Sequence, residues 1–313
     1  MTVVPVSWVP PALSGPAPAG DACARLFGSL ADAIDSQLPG TLGDRDIEFL
    51  HQLRVAVRRT RSGLKAFRGV YPAPELARFA TGFGWLQQAT GAARDLDVQV
   101  FGYDAELAHL SGDPAAALEP LHELLIHKRE TAHWTLRKAL TSTRYGELLR
   151  RWRRFLAHPA DGPEAATPVR EVADQRIRRA YRRVVKPARR ITGESPAEAL
   201  HDVRKRAKEL RYLLEFFAGL YPKSEITRQI RSLKKLQDNL GGFQDAQVQA
   251  AHLAEWGEEL SLAGAEEATM LALGELIVHH QNSAVRLRAE FGDRFARFDA
   301  ASHRRQFADL FGA

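Results

Sequence analysis

Two stretches of this chain place histidine, arginine and lysine at helical intervals. His51, Arg54, Arg58, Arg61, Lys65 and Arg68 stand at offsets 0, 3, 7, 10, 14 and 17, with no acidic residue in the series. His201, Arg204, Lys208 and Arg211 repeat the first four offsets, and Glu215 stands where the fifth base would be. On a helix turning about 100° per residue, the first series falls within about 100° of arc. It forms one ridge, and Leu53, Ala56, Val57, Thr60, Leu64 and Phe67 take the adjoining core-facing arc. Val203, Leu210, Leu214 and Phe217 do the same in the second stretch. The chemistry open to such a ridge is anion capture: guanidinium forks match phosphate bidentately, lysine adds a point charge, and histidine donates when protonated. Like charges at i,i+3 or i,i+4 cost about 0.2–0.5 kcal/mol per pair. A ridge of five or six bases therefore sacrifices about 1–2 kcal/mol of a total stability of about 5–15. An anionic partner offsets that cost.

Two further segments repeat the spacing. Arg176, Arg179, Arg183, Lys186 and Arg190 lie at offsets 0, 3, 7, 10 and 14, and Arg137, Arg144, Arg151 and Arg154 at 0, 7, 14 and 17. Arg137, Arg144, Arg179 and Arg183 are expected to flank the two main rows. The net charge of +6 is unevenly distributed, since residues 121–190 alone hold 18 Lys and Arg against 7 Asp and Glu. Such asymmetry focuses a field on a polyanion. A linear anion with many phosphates can lie along several rows, releasing counterions as it binds. Beside it, His51 and His201 are expected to gain protons. The ridges lack the interleaved aromatics that stack single-stranded bases, which speaks against the alternative, a nucleic-acid partner met by the same basic surface.

The elements that position these residues read as helices almost throughout. Leu26, Leu30, Ile34 and Leu38 keep a four-residue spacing that Pro39-Gly40 is expected to end. Residues 47–70 run to Tyr71-Pro72 with Gly63 as the one interruption, and later boundaries are expected at Gly91, Gly112-Asp113-Pro114, Pro159 to Pro168, Gly193 to Pro196, Tyr221-Pro222, Gly241-Gly242 and Gly264. The fold class is all-α, with about nine or ten helices. Residues 1–20, rich in Pro, Gly and Ala, read as a flexible or strapped extension. A shift of 150 residues aligns His51 with His201, Arg54 with Arg204, Arg61 with Arg211 and Tyr71-Pro72 with Tyr221-Pro222, with sixteen of fifty positions identical and no gap. The expectation is a tandem duplication, with copies near 21–157 and 168–313. Each copy would supply about four helices, enough for an antiparallel bundle.

Composition excludes several classes. At 45% hydrophobic and 26% charged the chain has material for a core, and one cysteine, Cys23, makes neither an internal disulfide nor a Cys-rich metal site. No apolar run approaches the roughly 18 residues of a membrane span, and Pro5, Pro10 and Pro11 without a basic n-region argue against a signal peptide. A cytoplasmic protein is expected. His201-Asp202 is an HD dipeptide, but Gln52 follows His51, so the dipeptide lies outside the repeat. His122, His127, His133 and His279-His280 read as surface or packing histidines. Asp95 and Asp97 suggest a Mg²⁺ pair, yet Asp95 and Asp245 after glycines are better read as N-caps. Gly82-x-Gly84 and Gly241-Gly242 lack a P-loop lysine. No catalytic residue, metal or cofactor is expected.

The combination resembles a known family. His51-x-x-Arg54-x-x-x-Arg58-Arg59-x-Arg61 and His201-x-x-Arg204-Lys205-x-x-Lys208-x-x-Arg211-Tyr212 are similar to the paired signatures of the CHAD domain, the conserved-histidine α-helical domain. Gly91-Ala92-Ala93-Arg94-Asp95-Leu96-Asp97-Val98 and Leu240-Gly241-Gly242-Phe243-Gln244-Asp245 resemble its second landmark. The resemblance covers about 20–313. It implies two four-helix bundles about a pseudo-twofold axis with a basic groove or channel between them. It also implies binding of inorganic polyphosphate through those His, Arg and Lys side chains, often on polyphosphate granules, and it adds Lys205 to the binding rows. Many relatives are fused to a triphosphatase (CYTH) domain, for which the stretch ahead of the first copy is too short. Glu209 and Glu215 interrupt the charge of the second signature.

Overall fold

The computed structural model describes residues 5–112 and 114–312; Met1 to Val4 of the extension, Asp113 of one expected boundary and Ala313 lie outside them. Among the described residues the chain is all-helical, with eleven α-helices: α1 (Ala19–Leu42), α2 (Ile47–Ala66), α3 (Ala73–Ala89), α4 (Gly91–Leu107), α5 (Pro114–Leu140), α6 (Thr143–Leu156), α7 (Val169–Ala188), α8 (Ala197–Phe216), α9 (Lys223–Leu262), α10 (Glu267–Phe298) and α11 (Ala301–Phe311). Six precede the Pro159–Pro168 connection and five follow it, where about four were expected on each side. None of these helices is long and apolar enough to cross a membrane.

Helix α2, which carries the first ridge, starts where Asp46 accepts a hydrogen bond from the Glu48 amide at 2.7 Å. Its apolar arc, Leu53, Ala56, Val57 and Leu64, is buried. Gly63 does not interrupt it. A Cβ there would lie 2.6 Å from Phe27 Cε1, so the glycine lets α1 and α2 approach closely. Pro39-Gly40 does not end α1 either. Pro39 falls in the last turn, where its carbonyl accepts the Gly43 amide, and Gly40 makes room for the Phe49 ring, 2.3 Å from the position of a Cβ. Gly241-Gly242 likewise lies inside α9, which runs unbroken for 40 residues, with Gly242 against Leu287. In all three places the missing side chain serves helix contact or is simply tolerated, and the turn reading fails.

Residues 5–18 of the extension are strapped to the body. Trp8 Nε1 donates to Ser29 Oγ at 3.0 Å, its ring meets Phe216 edge-on, and Gln37 Nε2 donates to the Val6 carbonyl. One continuous apolar core runs through α1–α3 and α6–α8, the start of α4, the end of α5, the first half of α9, the second half of α10 and α11, built around Trp152 packed on Phe27, Phe79 and Phe83. A second, smaller core of Leu118, Leu121, Leu125, Leu253, Trp256 and Leu276 joins α4 and α5 to α9 and α10.

Residues 150 apart in sequence meet at three places. Ala19 and Val169 donate their amides to the carbonyls of Thr167 and Ala17 around a Pro18–Pro168 bridge. The rings of Phe67 and Phe217 pack edge-to-face with centroids 5.5 Å apart. Gln99 and Gln249 exchange amide hydrogen bonds of 2.7 and 2.8 Å. Helices α2 and α8 have identical lengths at the same offset.

The tight α1–α2 contact gives a prediction. Gly63→Val gains little helix propensity but drives a branched side chain into Phe27, and is expected to destabilise the chain by about 1–3 kcal/mol in urea unfolding.

Candidate functional site

The two signature helices contribute opposite sides of one cationic cluster. On α2, Arg54, Arg58 and His51 are half-buried, and on α8 so are His201, Arg204, Lys208 and Arg211. Lys208 shows the convergence most directly. Its ammonium is pushed down to about 8 by burial and by the guanidiniums of Arg204, Arg58 and Arg211, against the pull of Asp245. Arg58 belongs to the other signature helix, so the two rows share a field. The Nε groups of Arg58 and Arg204 are buried with no hydrogen-bond partner. Among the described residues, Arg54, Arg58, Arg61, Lys65, Lys208 and Arg179 make no ion pair.

Several ridge residues have holders of their own. Arg54 Nη1 donates to the Gln87 carbonyl at 3.0 Å and to Thr90 Oγ1 at 2.9 Å, which fixes it on the break between α3 and α4. Burial and the cations of Arg58 and Arg94 lower its pKa, against Asp95. Arg61 Nη1 donates to Gln87 Oε1 at 2.5 Å. His201 Nδ1 lies 2.5 Å from Gln244 Oε1. Arg204 pairs with Asp245 at 3.3 Å, Lys205 with Asp202 at 2.7 Å, and Arg211 with Glu215 at 3.4 Å, so the second row is partly neutralised and the first is not. Glu215 also takes Arg59 at 2.9 Å.

Neither Asp95 nor Asp245 is an N-cap: Thr90 precedes α4, and Asp245 lies in mid-α9, where it meets Arg204. In the free protein the pKa of His51 is lowered, first by burial and then by Arg94, Arg58 and Arg54, with Glu48 opposing. The free ring is therefore biased towards its neutral form.

The C-terminal end of α2 opens into a second basic region. A cavity of about 760 Å³ is lined by Lys65, Arg68, Arg176, Arg179 and Arg183, with Glu209 on its wall. Arg183 pairs with Glu209 at 3.2 Å. Arg176 is a structural cation, donating to the Ala66 and Arg68 carbonyls at 3.0 and 2.7 Å and to Glu164.

Arg137 and Arg144 are not brought to either group. Arg137 acts on Asp44 in the α1–α2 turn, and Arg144 stacks 4.3 Å over Trp85 beside a separate cavity with Arg151 and Arg154. The series Arg137, Arg144, Arg151 and Arg154 is split between α5, which ends at Leu140, and α6, which starts after the Ser142 cap, so it forms no single ridge. Arg94, which bears on both His51 and Arg54, and the holders Gln87, Thr90 and Gln244 went unassigned. The downstream Gly-Ala-Ala-Arg-Asp landmark contains Arg94 and was their available signal.

An all-helical body with a half-buried cluster of guanidinium, ammonium and imidazole groups is the class this geometry defines. The profile of the CHAD domain matches residues 25–254, and the chain belongs to the CHAD domain family. The crystal structure of the CHAD domain from the plant Ricinus communis is 27% identical, with a TM-score of 0.72 over 98% of this chain and 97% of that one. PptA from Streptomyces chartreusis, 21% identical, shares the fold with a TM-score of 0.67 over 89% of this chain and 99% of that one. Two uncharacterised proteins of Mycobacterium tuberculosis, from strains CDC 1551 and H37Rv, are each 27% identical over 300 residues. These residues are 92% of this chain and 55% of the relative, so the chain spans about half the length of the curated relatives it matches.

The field at His51 can be read directly. In an NMR titration its ring is expected to protonate below the ordinary value near 6.5, and Arg94→Gln is expected to move that midpoint upward. An unchanged midpoint would disconnect Arg94 from the cluster.

Proposed function

We propose that this chain binds inorganic polyphosphate, without turning it over, on the face shared by α2 and α8. The observation that carries the reading is Lys208, an ammonium with its pKa depressed to about 8 among Arg58, Arg204 and Arg211 and with no ion-pair partner among the described residues. Cations kept half-buried and short of carboxylates are stabilised by an incoming polyanion that supplies the missing charge and acceptors. His51, Arg54, Arg58 and Arg61 form the first row, and His201, Arg204, Lys208 and Arg211 the second. Lys65, Arg179 and Arg183 extend the track to the cavity at the end of α2, and Lys205 adds charge at its exposed edge. Membership of the CHAD family supports the same ligand, and attachment to polyphosphate granules in the cytoplasm is the cellular role that goes with it. We further propose that the chain is a tandem duplication about a pseudo-twofold axis. The matched contacts at Pro18–Pro168, Phe67–Phe217 and Gln99–Gln249 support this, since equivalent residues meet reciprocally on such an axis.

Arg58→Glu combined with Lys208→Glu is expected to weaken polyphosphate binding by at least about a hundredfold, since charged hydrogen bonds contribute about 1.5–3 kcal/mol each. The same reversal at Arg304 and Arg305 is expected to have little effect. Equal losses in the two pairs, or displacement of long polyphosphate by duplex DNA at equal phosphate concentration, would sink the assignment. Phosphate release with Mg²⁺ or Mn²⁺ would contradict binding without turnover.

The pH dependence follows with a definite sign. An anion raises the pKa of Lys208 from about 8, so the complex holds more protons than the free chain at and above that pH. Affinity is expected to fall as pH rises through 8 to 9, and Lys208→Arg to flatten the decline in isothermal calorimetry.

A further inference from the structure

Helix α10 carries none of the basic rows, and its outer face is apolar along its middle. Leu271, Val278 and Val285 stand at offsets 0, 7 and 14 and are 64%, 53% and 69% exposed. A helix drifts only about 20° per seven residues, so the three form one stripe, with exposed Gly274 and Gln281 between them. The rotation of α10 is fixed from its other side. Leu273, Leu276, Phe291 and Phe295 are buried, the His279 ring stacks on His109 with centroids 3.9 Å apart, and His280 Nε2 lies 2.8 Å from Glu106 Oε2. Beside Val285 the apolar surface continues into a cavity of about 530 Å³ lined by Ala251, Ala254 and Ile277. Single exposed apolar side chains are ordinary, whereas an aligned stripe marks a surface that another molecule covers.

Charge identifies the occupant. Residues 252–285 hold six Glu and no Lys or Arg, and Arg286 and Arg288 follow directly. The stripe is therefore acidic at one end, at Glu267, and basic at the other. Glu267 and Arg286 are exposed and, among the described residues, make no ion pair. Arg288 is held by the carbonyls of Gly193 and Ser195 and not by a carboxylate. Glu290 lies off the stripe, paired with Arg294. Turning the helix end for end about Val278 places Leu271 against Val285, Val278 against itself, and Glu267 beside Arg286 and Arg288. The face is its own complement in that direction alone. A parallel pairing would set Glu267 against Glu267 and Arg286 against Arg286, which is repulsive.

We propose that a second copy of this chain docks here, α10 against α10, antiparallel about a twofold axis beside Val278. Every contact then occurs twice, as an isologous interface requires. Leu271 of each copy meets Val285 of the other, the two Val278 side chains meet at the axis, and Glu267 of each copy reaches Arg286 and Arg288 of the other. From Leu271 to Val285 the helix runs about 21 Å. A helix pair of that length lies near the low end of the roughly 1,200–2,000 Å² that specific interfaces bury, so the dimer is reversible and micromolar.

The test is sedimentation velocity on the full chain without polyphosphate. A monomer–dimer equilibrium in the micromolar range is expected. Val278→Glu, which sets two carboxylates together at the axis, should weaken it at least about tenfold. Phe101→Ser, at an equally exposed apolar residue on α4, should leave it unchanged. Cys23 is buried, so added surface cysteines report orientation through disulfide formation. Val278→Cys should link to itself. Leu271→Cys and Val285→Cys should not link alone, because like residues are then about 20 Å apart along the helix against the roughly 7 Å a disulfide spans. Mixed together, those two variants should link to one another. Sedimentation as a monomer throughout the micromolar range would overturn the proposal and leave the stripe to a protein of another sequence. An unchanged dimer in Val278→Glu, or self-linking of Leu271→Cys, would overturn it as well.

Discussion

Like charges from two helices are held together, partly out of water, on one face of this protein. Arg54 and Arg58 on α2 and Arg204, Lys208 and Arg211 on α8 repel one another, and burial removes the solvent that would screen them. The Arg59–Glu215 ion pair, at 2.9 Å, ties α2 to α8, but a single partly exposed pair does little to hold two helices together against that repulsion. The apolar side does so, through Phe67 on Phe217 and through Phe27, Phe79 and Trp152 in a core that runs beneath both. Directional packing on one side of a helix thus sustains an unfavourable arrangement on the other. Where the repulsion is sharpest, at Lys208, it appears as an ammonium that releases its proton far more readily than an ordinary lysine.

The two halves solve the same positioning problem differently. In the first half the chain breaks at Thr90, and Arg54 turns inward to the carbonyl and hydroxyl exposed there. In the second half α9 continues through the matching position, leaving no such acceptors, and Arg204 reaches the Asp245 carboxylate instead. The consequence is electrostatic. The arginines of the first row make no ion pair among the described residues, whereas Asp202, Asp245 and Glu215 temper the second.

The sequence already disclosed most of this, and its failures share a cause. The ridges on α2 and α8 were legible because a helix fixes the relative direction of residues three and four apart. The 150-residue offset was legible because the alignment needed no gap. Arg137 and Arg144 share no row because the chain turns at Ser142 between α5 and α6, so a spacing counted through that turn carries no common direction. Gly40, Gly63 and Gly242 were misread as stops or interruptions because a glycine that ends a helix and one that admits a neighbour's side chain look alike in one dimension. The buried cluster in which Arg129 joins Asp44 to Asp97, with His133 against Asp97, was beyond reach, since its members come from separate segments with no shared motif.

The preference for arginine, 35 residues against 9 lysines, acquires a structural reason on this face. A delocalised guanidinium is less strongly hydrated than an ammonium and stays charged when partly buried. Arg54, Arg58, Arg204 and Arg211 occupy half-buried positions, whereas Lys65 and Lys205 stand exposed at the margins. Lys208 breaks the pattern: it is the position matching Arg58, it is half-buried, and its pKa drops accordingly. Guanidinium at that position would give a permanent charge. Ammonium there makes the charge conditional on what lies beside it, which turns one member of an otherwise fixed array into a responsive one.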